Sequence, residues 1–176
     1  MTSVTQTTID PMIRAAGAFT IVSRIISAVG VVFLITMFVL FAKSNQAQGE
    51  TIGTLNDICV ALQYLLTIPI ALALYQILSP HNPSLIRIGT IIGILSMLVV
   101  IALQLALIFG VLTFQQQGVW ASLAMILGVG AWLVITCLVA RSASIFPNSV
   151  LMSAIAVPYF GYPVWAFWLG KQLLGL

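Results

Sequence analysis

IISAVGVVFLITMFVLFA, residues 25–42, decides the fold class, because eighteen residues pass here without a single charge. At about 1.5 Å of rise per residue, such a helix covers most of the roughly 30 Å hydrocarbon layer of a bilayer. Arg14 and Arg24 precede the run and Lys43 follows it. The first span therefore reads as 11–42, opening at Asp10-Pro11, where a capping side chain precedes a proline whose missing N–H is not needed.

The rest of the chain has the same character. Of 176 residues, 61% are hydrophobic and 5% charged, with a mean hydropathy of +1.19. An ordinary soluble domain carries about 25% charged residues to cover its surface, so a water-soluble core is excluded. The longest polar stretch, 43–57, is far shorter than the roughly 40 residues a unit needs to fold alone. The net charge is +3, but the six cations are scattered singly, without the clustered face that nucleic acid requires.

Working onward, a second span reads as 56–78 with Asn56 as its cap. The turn Ser79-Pro80-His81-Asn82-Pro83 returns the chain into a third, 83–113. After a linker at Phe114-Gln115-Gln116-Gln117-Gly118 a fourth covers 119–140, and a fifth covers 149–174, interrupted by Pro158 and Pro163. These segments are too long and unbroken for barrel strands of about ten alternating residues. The expected architecture is an all-α polytopic transmembrane helical bundle of about five spans forming a single domain, 1–176. The first span is too long for a cleaved signal peptide and reads as an anchor. No internal repeat is visible, which argues against an inverted-repeat transporter.

Loop cations set an orientation. With the N-terminus inside, Arg14, Arg24, Arg87 and Arg141 gather on the cytoplasmic side against Lys43 and Lys171 outside, which favours N-in and C-out. Trp120, Trp165 and Trp168 then fall near the outer interface as anchors. The expected location is the bacterial cytoplasmic (inner) membrane.

Chemistry-bearing residues are scarce. His81, the single histidine, reads as a turn residue, and Cys59 and Cys137, near opposite ends of their spans, read as separate thiols. The acids Asp10, Glu50 and Asp57 fall at span ends or in loops on this reading, so no catalytic residue, metal ligand or cofactor is assigned and proton pumping is disfavoured. Membrane lipids and other integral membrane subunits are the expected partners, and nucleic acid is not.

Within the spans, Gln63 and Gln104 lie at similar depth on antiparallel neighbours, and Pro69 frees the carbonyl of Leu65. Gln63, Pro69 and Gln104 form a candidate polar locus, either interhelical glue or a site for a polar head such as a quinone or lipid carbonyl; Thr67, Gln63 or a water could satisfy the Leu65 carbonyl. Gly89 with Gly93, and Ala124 with Gly128, have the small-xxx-small spacing that permits close helix approach. The run Val157-Pro158-Tyr159-Phe160-Gly161-Tyr162-Pro163 reads as a kinked aromatic helix or as one lining a site.

Arg14-Ala15-Ala16-Gly17, Leu74-Tyr75-Gln76-Ile77-Leu78 and Trp165-Ala166-Phe167-Trp168-Leu169-Gly170-Lys171 resemble segments of small uncharacterised bacterial multi-span membrane proteins. The resemblance implies a membrane bundle and no activity. Functionally, the sequence favours a non-catalytic accessory or structural subunit packing against larger membrane proteins, in a bacterial respiratory or photosynthetic electron-transfer complex. A small-molecule or lipid carrier using the locus between spans 2 and 3 is the alternative.

Overall fold

The computed structural model describes residues 11–144. The expected fifth span, Trp165, Trp168 and the Asp10 cap lie outside the described residues. The described chain is all-α: α1 (Pro11–Ala42), α2 (Gln46–Leu78), α3 (Pro83–Ile108), α4 (Phe114–Leu123), a π-helical segment Ala124–Val129 and α5 (Gly130–Ser142). The last three join end to end, so the described residues make four rods long and apolar enough to cross a membrane, the fourth being Phe114–Ser142.

The turns explain where the rods end. At the close of α1, Ser44 takes φ 58°. Its N–H donates to the Phe41 carbonyl and that of Asn45 to the Leu40 carbonyl, both at 3.0 Å. This pair of bonds satisfies carbonyls that a helix end otherwise leaves open, and closes the helix abruptly. Gly110 does the same for α3, with φ 70°; its N–H reaches the Leu107 carbonyl at 3.0 Å and that of Val111 the Ala106 carbonyl at 2.8 Å. Helix α3 therefore ends at Ile108, five residues before the apolar run itself stops, which corrects the expected end at 113.

A larger correction concerns 43–57, read as mostly loop. The connection is only three residues long, and α2 begins at Gln46 instead of 56. Its polar residues satisfy one another inside the helix. Gln46 donates to Glu50 Oε1 at 2.9 Å, and the hydroxyls of Thr51 and Thr54 donate to the Ala47 and Glu50 carbonyls. Polarity had disguised helix propensity, since Gln, Ala and Glu are good helix formers.

Likewise the linker 114–118 is the first turn of α4, not a loop before a span at 119. Thr113 and Gln116 form a reciprocal capping box there. At α3, Asn82 accepts from the Leu85 N–H at 3.2 Å, with Pro83 in the first turn.

The rods pack in chain order, α1 on α2, α2 on α3, and α3 on the fourth rod, which also touches α2. One apolar cluster joins Ala71, Met97, Val129 and Trp132; a second joins Leu78, Ile86, Cys137, Val139 and Ala140 beside the α2–α3 turn. The fourth rod is the most enclosed of the four.

Candidate intramembrane polar site

Glycines set the distances at which polar groups meet. A Cβ placed on Gly89 would lie 2.8 Å from Ile135 Cγ2, and one on Gly93 only 2.5 Å from Trp132 Cγ. Neither is a distance that real side chains tolerate, so both glycines are needed for α3 to lie against α5. Gly128, in the π-helical segment, faces the Ser96 side chain with no room for a methyl group. The small-residue pairs of α3 and the fourth rod thus serve contacts within this chain; Ala124 is half-buried. The N–H of Gly130 reaches back five residues to the Met125 carbonyl, the widened turn of a π-helix.

A second glycine pair went unread in the sequence because it lies in the supposed loop. Gly49-Glu50-Thr51-Ile52-Gly53 seats α2 on α1, Gly49 against the Phe41 ring and Gly53 against Met37. One turn farther, Asn56 and Cys59 face Gly30. The signal was available as GxxxG spacing; the polar letters around it concealed it.

Polar side chains are enclosed by these contacts. Gln104 is 4% exposed, and its Oε1 accepts no hydrogen bond from Gln63 or any other described residue. Gln63 itself is half-buried. Thr67 donates to the Gln63 carbonyl at 2.7 Å, so its hydroxyl does not serve the Leu65 carbonyl that Pro69 leaves without a donor. Around α5, Thr90 Oγ1, Trp132 Nε1 and Thr136 Oγ1 are also buried with no partner among the described residues. Buried polar atoms are paired in the great majority of cases, so these four are groups whose partner the described residues do not supply.

They do not form one site. Gly89 opposite Ile135 and Gly93 opposite Trp132 put Thr90, Trp132 and Thr136 toward the start of α3. Gln104 lies eleven residues beyond Gly93, about 16 Å along the helix. What these groups offer is hydrogen bonding: an amide acceptor at one level, and an indole donor with two hydroxyls at the other.

Asp57 is the residue whose position changes most. Instead of closing a loop it lies inside α2, 8% exposed, with the Asn56 side chain as its hydrogen-bonding neighbour. Of the expected interfacial anchors, Trp120 is 60% exposed on α4. His81 is exposed in the α2–α3 turn, and Cys59 and Cys137 form no disulfide.

Four apolar rods with enclosed polar groups define the class: this is a multi-span membrane protein. No protein-family model, curated protein or solved structure matches the chain. The class therefore rests on the helices themselves.

Proposed function

We propose that this protein is a non-catalytic accessory subunit that packs against larger integral membrane proteins in the bacterial cytoplasmic membrane, with its N-terminus inside and C-terminus outside. The supporting observation is on α1. Its buried residues Leu34 and Met37 are turned inward, while Ile21, Ile25, Ala28, Val32, Ile35 and Val39 are all exposed. Their spacing alternates between four and three, the repeat by which helices pack side by side in a left-handed crossing. Lipid covers such a surface acceptably, but a seam of β-branched side chains around a small residue, repeating every seven residues, suits a helix better. A bacterial respiratory or photosynthetic electron-transfer complex is the setting we favour.

Extraction of the native membrane in mild detergent tests this reading. The chain should co-migrate with other membrane proteins in fixed stoichiometry, and Val32→Trp should release it; a chain that runs alone as a stable unit ends the proposal. Orientation is read separately: a cysteine placed at Gln46 should react with impermeant reagent from outside only.

A second reading, a lipid or small-molecule carrier, is supported by the buried and unpaired Gln104 amide oxygen. Replacing an unsatisfied buried acceptor by a carbon isostere is neutral or stabilising. Gln104→Leu should therefore leave stability unchanged or raised in the accessory reading, and should abolish co-purification of a bound lipid or quinone in the carrier reading.

A further inference from the structure

Three rods agree on where the bilayer lies, and α1 is offset from them. Residues 58–78 of α2 carry no charge and measure about 31 Å, the thickness of the hydrocarbon, with Asp57 at their outer end. Residues 88–108 of α3 match them in length, between Arg87 and the α3–α4 turn. The fourth rod lies flush with α3, since Gly89 meets Ile135, Gly93 meets Trp132 and Gly128 meets Ser96. For α1 the level follows from Gly53 meeting Met37 and Gly30 meeting Cys59, so each residue gained along α2 is one lost along α1. Asp57 is then level with residues 32–33 of α1, and Leu78 with residues 11–12. Ala16, Ser23, Gly30 and Met37, all buried and seven residues apart, continue this contact face down α1.

The offset leaves α1 with two unmet needs. Arg24, six residues before Gly30, is level with Leu65, about 12 Å inward of Asp57 and close to mid-depth. The sequence alone reads it as cytoplasmic; the helix contacts put it deeper, too deep for an arginine to snorkel to the headgroups. A cation at such a level is expensive and is retained where it has a partner. This chain has none to give. Its three acids are Asp10, Glu50 and Asp57. Glu50 and Asp57 are level with residues 39–40 and 32–33 of α1, and Asp10 precedes Arg24 by fourteen residues. Outside the hydrocarbon the need is reversed. Residues 34–42 are apolar but for Thr36, and Ile35 and Val39 are exposed there, Val39 about 10 Å beyond the outer edge, where no lipid tail covers it.

One exposed row joins both places. Ile21, Ile25, Ala28, Val32, Ile35 and Val39 run along α1 opposite the row that meets α2. Arg24 stands three residues after Ile21 and four before Ala28, the spacings of neighbours on a helix surface. We infer that this row binds one transmembrane helix of another protein, which carries an aspartate or glutamate at the level of Arg24 and continues about two turns past the hydrocarbon with an apolar face toward Ile35 and Val39. The inference rests on the accessory reading and gives its partner a chemistry. A second copy of this chain does not supply the acid, because its own Glu50 and Asp57 lie at the same outer levels.

Charge and accessibility test it together. In native membranes extracted in mild detergent, Arg24→Leu should cut the co-migrating fraction by at least about tenfold, while Arg24→Lys keeps it. The isolated Arg24→Leu chain should retain the wild-type far-UV circular dichroism in nanodiscs. Replacing the partner's intramembrane acid by arginine should restore binding to Arg24→Asp. Unchanged co-migration of Arg24→Leu overturns the inference, and if Val32→Trp still releases the chain, the accessory reading survives it. A wild-type chain that runs alone, or only with copies of itself, overturns both. Depth is read on Val39→Cys in a chain that also carries Cys59→Ala and Cys137→Ala. An impermeant maleimide should modify residue 39 in the isolated chain and not in the complex. No reaction in the isolated chain would put that residue in hydrocarbon and overturns the inference, even should Arg24→Leu fail to fold.

Discussion

The α1–α2 hairpin and the pairing of α3 with the fourth rod use the same device to opposite ends. Both bring helices together over glycines four residues apart, Gly49 and Gly53 in one and Gly89 and Gly93 in the other. In the α3 pairing the glycines receive stiff groups, the Trp132 indole and the branched Ile135, and Gly128 receives Ser96. In the hairpin Gly49 receives the Phe41 ring as closely as Gly93 receives Trp132, whereas Gly53 receives only the flexible Met37 thioether, and a carboxyl lies one turn away. A glycine contact can therefore lock two helices or merely seat them. What decides is how easily the opposing side chain can move.

This contrast can be broken by substitution. Gly93→Leu should have the largest effect, because even its Cβ collides with the Trp132 ring; overpacking of this kind costs about 3 kcal/mol. Detergent-denaturant titration followed by far-UV circular dichroism would record it, and a cost below that of the hairpin variant would remove the distinction. Gly128→Ala should lose about 2 kcal/mol by the same mechanism. Adding Ser96→Gly should restore at least half of that, since the clash is with this one side chain. A double variant no better than the single one would show that the π-helical turn itself, not Ser96, sets the fit.

Thr113→Ala removes the capping box at the start of the fourth rod and should cost about 1 kcal/mol, read as faster amide exchange over 114–118 with the α1–α2 hairpin unchanged. Gly53→Ala is the smallest. Its Cβ would lie 3.0 Å from Met37 Sδ, which can swing aside, so a loss of about 0.5 kcal/mol is expected on the same titration.

The same contrast shows what the sequence made legible. The turn at Asn82-Pro83 and the glycines of α3 stand in a purely apolar setting, where a cap or a small residue is conspicuous. Gly49 and Gly53 have the same spacing but sit among Gln46, Gln48, Glu50 and Thr51, and polarity there reads as loop. Hydropathy reports what a residue prefers to touch, not whether its backbone is helical. For that reason the start of α2, the start of α4 and the burial of Asp57 inside a helix all went unread together. The end of α3 was hidden for a different reason: Gly110 takes positive φ in the middle of an apolar run, and glycine is equally at home inside a membrane helix. Gln104 was legible as a buried polar group, but its lack of a donor is a property of the three-dimensional surroundings.

The three-residue connection between α1 and α2 bears on how the protein is made. Of the four rods α2 is the least apolar, with a mean hydropathy of 2.0 against 2.8 for α1. Its opening turns carry Gln46, Gln48, Glu50, Asn56 and Asp57, groups that resist entry into lipid on their own. Joined through so tight a turn, α2 reaches the membrane with α1 directly beside it. The hairpin is then the unit of insertion, and the polar shoulder of α2 is carried across against a protein surface already in place.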